Sequence, residues 1–429
     1  MNHKSKIKHR KSNILCLYQH YSTPDAAAHG RLFTFLDAWR ERYHTDLVTS
    51  RLWLDRRATT AFPDAPAGTT LHALDVPYDN AMGATRRLPA YLRFAWQAER
   101  LARRLPRPDV VYGISTPLTV GWAALRVARH FGVPFVFEVR DLWPDFPVAM
   151  GALPRRLAGP LYALERRLYR EAAHVIGVSP DMTAHVRRTV PEANATTILQ
   201  GTDFDLLDAV TPQEVARLQH DLGFGERGLG ERGFGERGFG ERRVVLYAGT
   251  LGRANAIPET LAALAHLAHR DDLAFVFMGA GFHADTVRQQ AARQANVRLL
   301  PSMPRHRALA YFKLAALTLV PFLDVPVLAT NAPAKLFDSL AAGTPVVVTN
   351  TGWTKELVET EQCGWYAPLT DPASFAARLA AVLDAPETLA DAGSRGERYA
   401  RAHFDRRALA ARMATLFDEV VQRGAPAQR

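Results

Sequence analysis

Nine short apolar runs, each five or six residues long, set the fold class. They lie at 14–18 (ILCLY), 109–113, 134–139 (PFVFEV), 174–178, 244–248 (VVLYA), 273–278 (LAFVFM), 296–300, 316–320 and 345–349 (PVVVT). Continuous runs of this length, rich in Val and Phe, suit strands buried on both faces. Helical patterns separate them, as at 257–270, 283–295, 333–342 and 373–384, the last with Asp371 and Pro372 placed as cap and first-turn residue. Strand–helix alternation means parallel sheets covered by helices on both sides.

One segment interrupts the pattern. Residues 223–242 are four copies of a five-residue unit, GFGER or GLGER, holding 8 of the 28 glycines. Five residues is too short for a solenoid unit. So Gly-rich a backbone cannot offset the entropy of ordering it, and Glu and Arg cancel within each copy. The segment reads as a low-complexity linker. The chain therefore divides into a basic, disordered tail (1–12), a first domain (13–205), a linker (206–242) and a second domain (243–404). A last helix, about 405–422, is expected to pack back on the first domain. The fold class is α/β: two doubly wound, Rossmann-like domains facing across a cleft, with ligands beyond the carboxyl ends of the strands.

The formal charge is +10, of which residues 1–12 carry +5, residues 13–205 carry +4 and residues 206–429 carry +1. A surplus confined to the first half points to nucleic acid or a lipid surface, or is merely a solvated tail on an Arg-rich chain. No apolar run reaches the roughly 18–20 residues of a membrane span, and no apolar signal core follows the N-terminal charges. Cys16 and Cys363 can form neither a disulfide framework nor a metal site. The expected location is cytoplasmic, at most peripheral on the inner face of a membrane.

Neither a dinucleotide fingerprint nor a P-loop follows any strand. Glycines do follow two of them, in Gly249-Thr250-Leu251-Gly252-Arg253 and Gly279-Ala280-Gly281, where phosphate or sugar could approach the backbone, or where turns simply need glycine. The sharper constellation is NAPAKLFDSLAAGTPVVV, 331–348. Pro333 suits an early helix position, and Lys335 then lies in the first turn, where a cation gains nothing from the helix dipole. It is better explained as sharing an anion with the helix end. Asp338 follows at i+3 on the same face. A Lys for phosphate and a carboxylate for ribose hydroxyls would suit a sugar nucleotide; a surface Lys–Asp pair is the plain alternative.

The run KLFDSLAAGTPVVV resembles the donor motif of the family-four retaining glycosyltransferases of GT-B fold. The resemblance is strongest to the bacterial O-antigen, capsular and exopolysaccharide subgroup that includes N-acetylfucosaminyl-transferase-like proteins. It extends through EVRDLWPD (138–145), VIGVSPDM (175–182), ILQGTDFD (198–205), VLYAGTLGRAN (245–255), FMGAG (277–281) and CGWYAPLTDP (363–372). It implies that Asp338 contacts ribose. The family's other donor glutamate falls on Thr330, so Asn331 or Lys335 takes over the sugar hydroxyls. The basic pair that holds the diphosphate in relatives falls on Thr250 and about Asn255, leaving Arg253 or Lys335 to neutralise it. Gly30-Arg31 resembles the acceptor-domain glycine loop, and Arg140 stands where many relatives carry His.

The implied reaction moves a sugar from a nucleotide diphosphate to an acceptor hydroxyl with retention. Fixed positive charge and N–H groups at the leaving phosphate would supply most of the catalysis. Either the leaving phosphate or a carboxylate, Glu138 or Asp141, would take the acceptor proton. A UDP-sugar is the expected donor, with no cofactor and no metal. Asp203-Phe204-Asp205 spells the metal motif of the other glycosyltransferase fold but falls on a loop before the linker, and His266 and His269 lack companion ligands.

For the acceptor, the resemblance implies a lipid-linked saccharide. Residues 86–105 mix Tyr91, Leu92, Phe94 and Trp96 with six arginines, and 155–170 repeat the style. Such a helix could lie on an anionic membrane surface, or simply pack on the sheet. A sugar-nucleotide epimerase of the same fold is the alternative enzyme. A nucleic-acid-binding protein is the other class, argued against by the near-neutral second half and the lack of any nucleic-acid module.

Overall fold

The computed structural model describes residues 11–24, 30–50, 65–77, 82, 84–219 and 242–424. The tail through residue 10 and the glycine repeats through residue 241 lie outside the described residues. The first domain is a seven-stranded, all-parallel sheet built from β1 (Ser12–Leu17), β2 (Tyr43–Ser50), β3 (Thr69–Leu74), β4 (Val110–Ile114), β5 (Phe135–Val139), β6 (His174–Gly177) and β7 (Ala195–Thr197). Its order is β3-β2-β1-β4-β5-β6-β7, with Ile14 beside Val110 and Ile114 beside Glu138 fixing the central register. The second domain contributes β8 (Arg243–Ala248), β9 (Leu273–Met278), β10 (Val297–Leu300), β11 (Leu317–Val320), β12 (Val346–Val348) and β13 (Gly364–Tyr366). They pair in parallel in the order β10-β9-β8-β11-β12-β13. Both sheets reverse direction beside their first strand, the arrangement that places ligands at the carboxyl edge.

All nine apolar runs form strands. The four strands that the apolar runs did not mark are β3, β7 and β13, which lie at sheet edges, and β2 beside β3. Edge strands are covered less completely, so they need no continuous apolar run. β2 buries Thr45, Thr49 and Ser50 instead. Helices cover both faces of each sheet. On the first, Ala84–Ala102, Leu118–Phe131, Gly159–Glu171 and Pro180–Thr189 pack on one side, and Leu32–Trp39 with Arg406–Gly424 on the other. That last helix returns to the first domain: Trp39 Nε1 donates to the Ala410 carbonyl (2.8 Å), Tyr43 Oη to the Ala414 carbonyl (2.9 Å), and Phe417 packs edge-on against Trp39 and Tyr112. Asp371 caps its helix, accepting from Ser374 N–H at 2.8 Å.

The linker is shorter than its assigned 206–242. Phe204–Asp208 and Pro212–Gln219 are helices, and Leu207 and Val210 are buried in the core of the second domain. Lys313 Nζ fixes the turn between them by donating to the Val210 carbonyl (3.0 Å). The apolar residues at 206, 207 and 210 drive this docking; they needed a partner surface that only the folded second domain supplies.

Candidate functional site

Three neighbouring strands of the second sheet, β9, β8 and β11, end side by side, and their following loops converge. Gly249, just after β8, has φ +138°, a conformation that strains any residue with a Cβ. A Cβ there would stand 3.4 Å from Cε of Lys335, which comes from the first turn of the helix Ala334–Ala341. The Lys335 ammonium lies 4.7 Å from the Tyr247 ring centroid and 5.4 Å from that of Phe322. The residue is buried, and burial lowers its pKa to about 8. Among the described residues no acceptor or carboxylate meets this ammonium. A buried cation without a counter-charge is costly, and here it stands beside the uncapped start of a helix, whose free N–H groups also attract anions.

The other residues expected on the donor side are placed differently. Arg253 is exposed, its guanidinium stacked 3.9 Å over the Phe282 ring from the next loop. Thr250 is exposed and uses its carbonyl to accept from Tyr247 Oη (2.5 Å). Gly279 and Gly281 are glycines for a reason within the fold. A Cβ on Gly279 would lie 1.9 Å from the Gly249 carbonyl oxygen, and one on Gly281 2.7 Å from that of Leu251. Close packing of the two loops is by itself enough to require glycine at both positions. Asn331 belongs to a seam between the domains: its carbonyl accepts from Trp353 Nε1 (2.9 Å), and that of Thr330 accepts from Ser179 Oγ of the first domain (2.6 Å). A pocket of about 420 Å³ opens beside this seam, walled by Leu142, Asp145 and Arg155 on one side and Val325 and Thr330 on the other.

Asp338 is the largest departure. Its carboxylate accepts from both terminal nitrogens of Arg305 (2.9 and 2.5 Å) and from Thr202 Oγ1 (2.6 Å), all buried. Arg305 also approaches Asp203, which pairs in turn with buried Arg406 and with the Thr34 hydroxyl. Asp338 therefore fastens the second domain to the end of the first, rather than offering a free carboxylate to ribose. Asp203, the first acid of the Asp-Phe-Asp triplet, serves the same network.

The first domain separates its two candidate bases. Glu138, at the end of β5, is fully buried and accepts from Arg31 (2.5 Å), Arg140 Nε (2.6 Å) and the Tyr112 hydroxyl. Burial pushes its carboxyl up, but the two guanidiniums and the tyrosine outweigh it and hold the pKa at about 2. So firmly ionised and enclosed a group cannot take a proton from an acceptor, which corrects its assignment as a base. Arg31 is likewise structural, spending its guanidinium on Glu138 and on the Ile198 and Leu199 carbonyls. Asp141 differs. Among the described residues its carboxylate accepts from the Thr116 hydroxyl (2.5 Å) and from no other side chain, and burial raises its pKa. Beside it, Arg140 stacks on Tyr18 and donates to that residue's hydroxyl (2.8 Å), while its buried Nη2 has no partner among the described residues. Gly30 abuts this guanidinium: a Cβ there would lie 3.5 Å from Nη1. His20, facing Arg140 and Arg87, is held neutral by burial first and those cations second, its pKa falling to about 3.

Known proteins match this arrangement half by half. Residues 33–200 match the glycosyl transferase 4-like domain and residues 242–385 the glycosyl transferases group 1 domain, together well over half of the chain. The chain belongs to the glycosyltransferases of GT-B fold. A probable glycosyltransferase, WbjE of Pseudomonas aeruginosa, is 25% identical over 290 residues, 65% of this chain and 66% of that relative, just under two thirds of its length. Sucrose-phosphate synthase from Thermosynechococcus elongatus superposes with TM-score 0.73 at 18% identity, covering 96% of this glycosyltransferase and 100% of that structure. HepE of Anabaena, solved in complex with UDP-glucose, superposes at 0.65 with 16% identity, covering 95% and 99%. At such identities the structures speak for the fold.

Several residues of the site carried no signal in the sequence. Tyr247 and Phe322, the aromatic walls of Lys335, looked like strand and loop apolars. Arg305 is 33 residues from Asp338 and lies in no recognisable motif.

Proposed function

We propose that this glycosyltransferase moves a sugar from a nucleotide-diphosphate donor to a hydroxyl of a lipid-linked saccharide acceptor, with retained configuration, in the assembly of a bacterial surface polysaccharide. The observation that carries the donor half is Lys335: a buried, aromatic-walled ammonium with no counter-ion, opening onto Gly249 at the carboxyl edge of the sheet. A diphosphate there supplies the missing charge and gains the free N–H groups of the helix start. Negative charge grows on that diphosphate as the glycosidic bond breaks, so a fixed cation in a desolvated site stabilises the transition state more than the ground state. Arg253, stacked at the lip of the same loop, is the second cation. HepE, with UDP-glucose bound, supports a UDP-sugar as donor, and WbjE supports the polysaccharide setting.

On the acceptor side, Asp141 takes the hydroxyl proton if a protein group does so. Its raised pKa and single recorded partner suit a base better than Glu138 does. Arg140 Nη2 holds the acceptor or its charge.

The test is a thermal-shift screen of UDP-, GDP- and CMP-sugars, repeated on Lys335→Ala. Stabilisation of the parent by one nucleotide class, lost in the variant, supports the reading. No stabilisation of the parent by any sugar nucleotide removes it.

A further inference from the structure

Only five large apolar side chains stand exposed among the described residues, and four belong to the first domain: Leu88 (57% exposed), Leu92 (55%), Trp96 (60%) and Leu157 (60%). The fifth, Phe282, lies in the second domain and carries the Arg253 guanidinium on one face of its ring. Leu88, Leu92 and Trp96 recur every four residues along the helix Ala84–Ala102, which makes one line on its outer face. Arg100 extends that line, exposed Arg104 follows in the turn after the helix, and exposed Arg93 flanks it. The opposite face, with Phe94, Ala98 and Ala102, is sunk in the core. Tertiary packing therefore uses the inner face and leaves the outer apolar stripe unpartnered.

The charge beside the stripe is of one sign and unspent. The helix has a single acid, Glu99, and Arg103 and Arg126 already neutralise it. Among the described residues no ion pair engages Arg93, Arg100 or Arg104; Arg100 stacks on Trp96 (5.7 Å). Leu157 repeats the combination at a second place, following the exposed Arg155 and Arg156 in the turn Arg155–Leu157. In a parallel sheet each crossover helix starts at the carboxyl edge of the strands. The first turns of Ala84–Ala102 and of Gly159–Glu171 therefore share the cleft-side rim. Tyr91, on the inner side of the first helix, makes an edge contact with Trp143 (5.9 Å), which joins that helix to the segment leading to Leu157.

We propose that the outer stripe of this helix, together with the turn Arg155–Leu157, is a membrane-docking surface for an anionic bilayer. Leu88, Leu92, Trp96 and Leu157 enter the headgroup–acyl boundary, and Arg93, Arg100, Arg104, Arg155 and Arg156 meet the lipid phosphates. An amphipathic helix with Trp and Leu on one face and arginines beside them binds a membrane in its plane. Charge complementarity selects this occupant: a neutral partner would leave five arginines without a counter-charge. The inference goes beyond the sugar-transfer reading and does not depend on it.

The experiment is flotation of the full chain with vesicles of phosphatidylcholine alone and of equimolar phosphatidylcholine and phosphatidylglycerol. The intact protein floats with the anionic vesicles, is released by high salt, and stays behind with the neutral ones. Arg93→Gln/Arg100→Gln/Arg104→Gln weakens binding roughly a hundredfold, at about fivefold per arginine. Leu92→Ser/Trp96→Ser weakens it at least about tenfold, and both variants keep the parent's melting temperature within a few degrees because the replaced side chains already stand mostly exposed. Binding by the intact chain that neither variant weakens would assign the attraction to the basic N-terminal residues and overturn the proposal. So would equal binding to both vesicle types, or none to either. The sugar-nucleotide screen is unaffected by any of these outcomes.

Discussion

Thr202 Oγ1 donates to Asp338 Oδ1 at 2.6 Å, and Arg305 grips the same carboxylate with both terminal nitrogens. The acid of the donor motif is thereby a buried fastening between domains. Removing its charge leaves Arg305 buried with one fewer counter-ion, which costs about 3–5 kcal/mol. Asp338→Asn should lower unfolding free energy by that amount in urea, while Thr202→Val costs about 1 kcal/mol. If Asp338→Asn kept full stability and lost only nucleotide affinity, the carboxylate would be a ribose ligand after all.

Glu138 and Asp141 stand three residues apart but should respond in opposite ways. Glu138→Gln strips a buried pair from Arg31 and should unfold or severely destabilise the first domain. Its folded pKa, about 2, lies below the unfolded value, so its stabilisation is complete above about pH 4.5 and fades as pH falls toward 2. Acid unfolding followed by circular dichroism should show that loss in the parent and not in a folded Glu138 variant. Asp141→Asn, by contrast, should leave the melting temperature within a few degrees and lower kcat about 10²–10⁴-fold if Asp141 is the base. An unchanged kcat would leave proton transfer to the departing phosphate.

Gly249 and Gly279 give a paired test of the loop. Gly279→Ala puts a Cβ 1.9 Å from the Gly249 carbonyl oxygen, so the backbone must move and the second domain should lose several degrees of melting temperature. Gly249→Ala meets nothing closer than Lys335 Cε at 3.4 Å but must hold φ +138°. It should cost about 1–3 kcal/mol in strain and screen the ammonium, weakening nucleotide binding more than stability alone explains. Thermal melts with and without UDP separate the two effects.

The fold was legible because parallel strands buried on both faces must be apolar throughout, and the runs at 244–248 and 273–278 are nothing else. Edge strands such as β13 escaped because a half-covered strand needs no such run. The place of Lys335 in the first turn of a helix was legible for a local reason: Pro333 suits a helix start, and the residues after it follow in the first turn. Asp338 was misread because its partners, Arg305 and Thr202, lie 33 and 136 residues away. The spacing Lys-x-x-Asp fixes a shared helix face, but which neighbour fills that face is decided by tertiary packing. Glu138 was misread similarly: its place at the end of a strand was clear, whereas its enclosure by Arg31 and Tyr112 arises only when β4, β5 and the helix after Arg31 assemble. The glycines after β9 show the remaining limit, since a close approach needs glycine whether the approaching group is a phosphate or another loop.

Lys335 couples stability to function with opposite signs. Burial lowers its pKa from 10.5 to about 8. Between those values the unfolded chain binds the proton that the folded chain has lost, so stability rises with pH through that interval. Below pH 8 the folded state carries the full cost of a buried, unpaired charge, about 3 kcal/mol from the shift. Lys335→Met, which keeps the bulk between Tyr247 and Phe322, should therefore raise the melting temperature at pH 7. The same change should abolish most nucleotide affinity, because the diphosphate loses its cation. In the parent, binding needs the protonated form: affinity for UDP should be flat between pH 7 and 8 and then fall about tenfold per pH unit. Calorimetric titration with UDP from pH 7 to 9.5 measures the slope. A parent whose affinity ignores pH in this range, or a Lys335→Met protein that is less stable and still binds UDP, would show that the ammonium serves the fold and not the ligand.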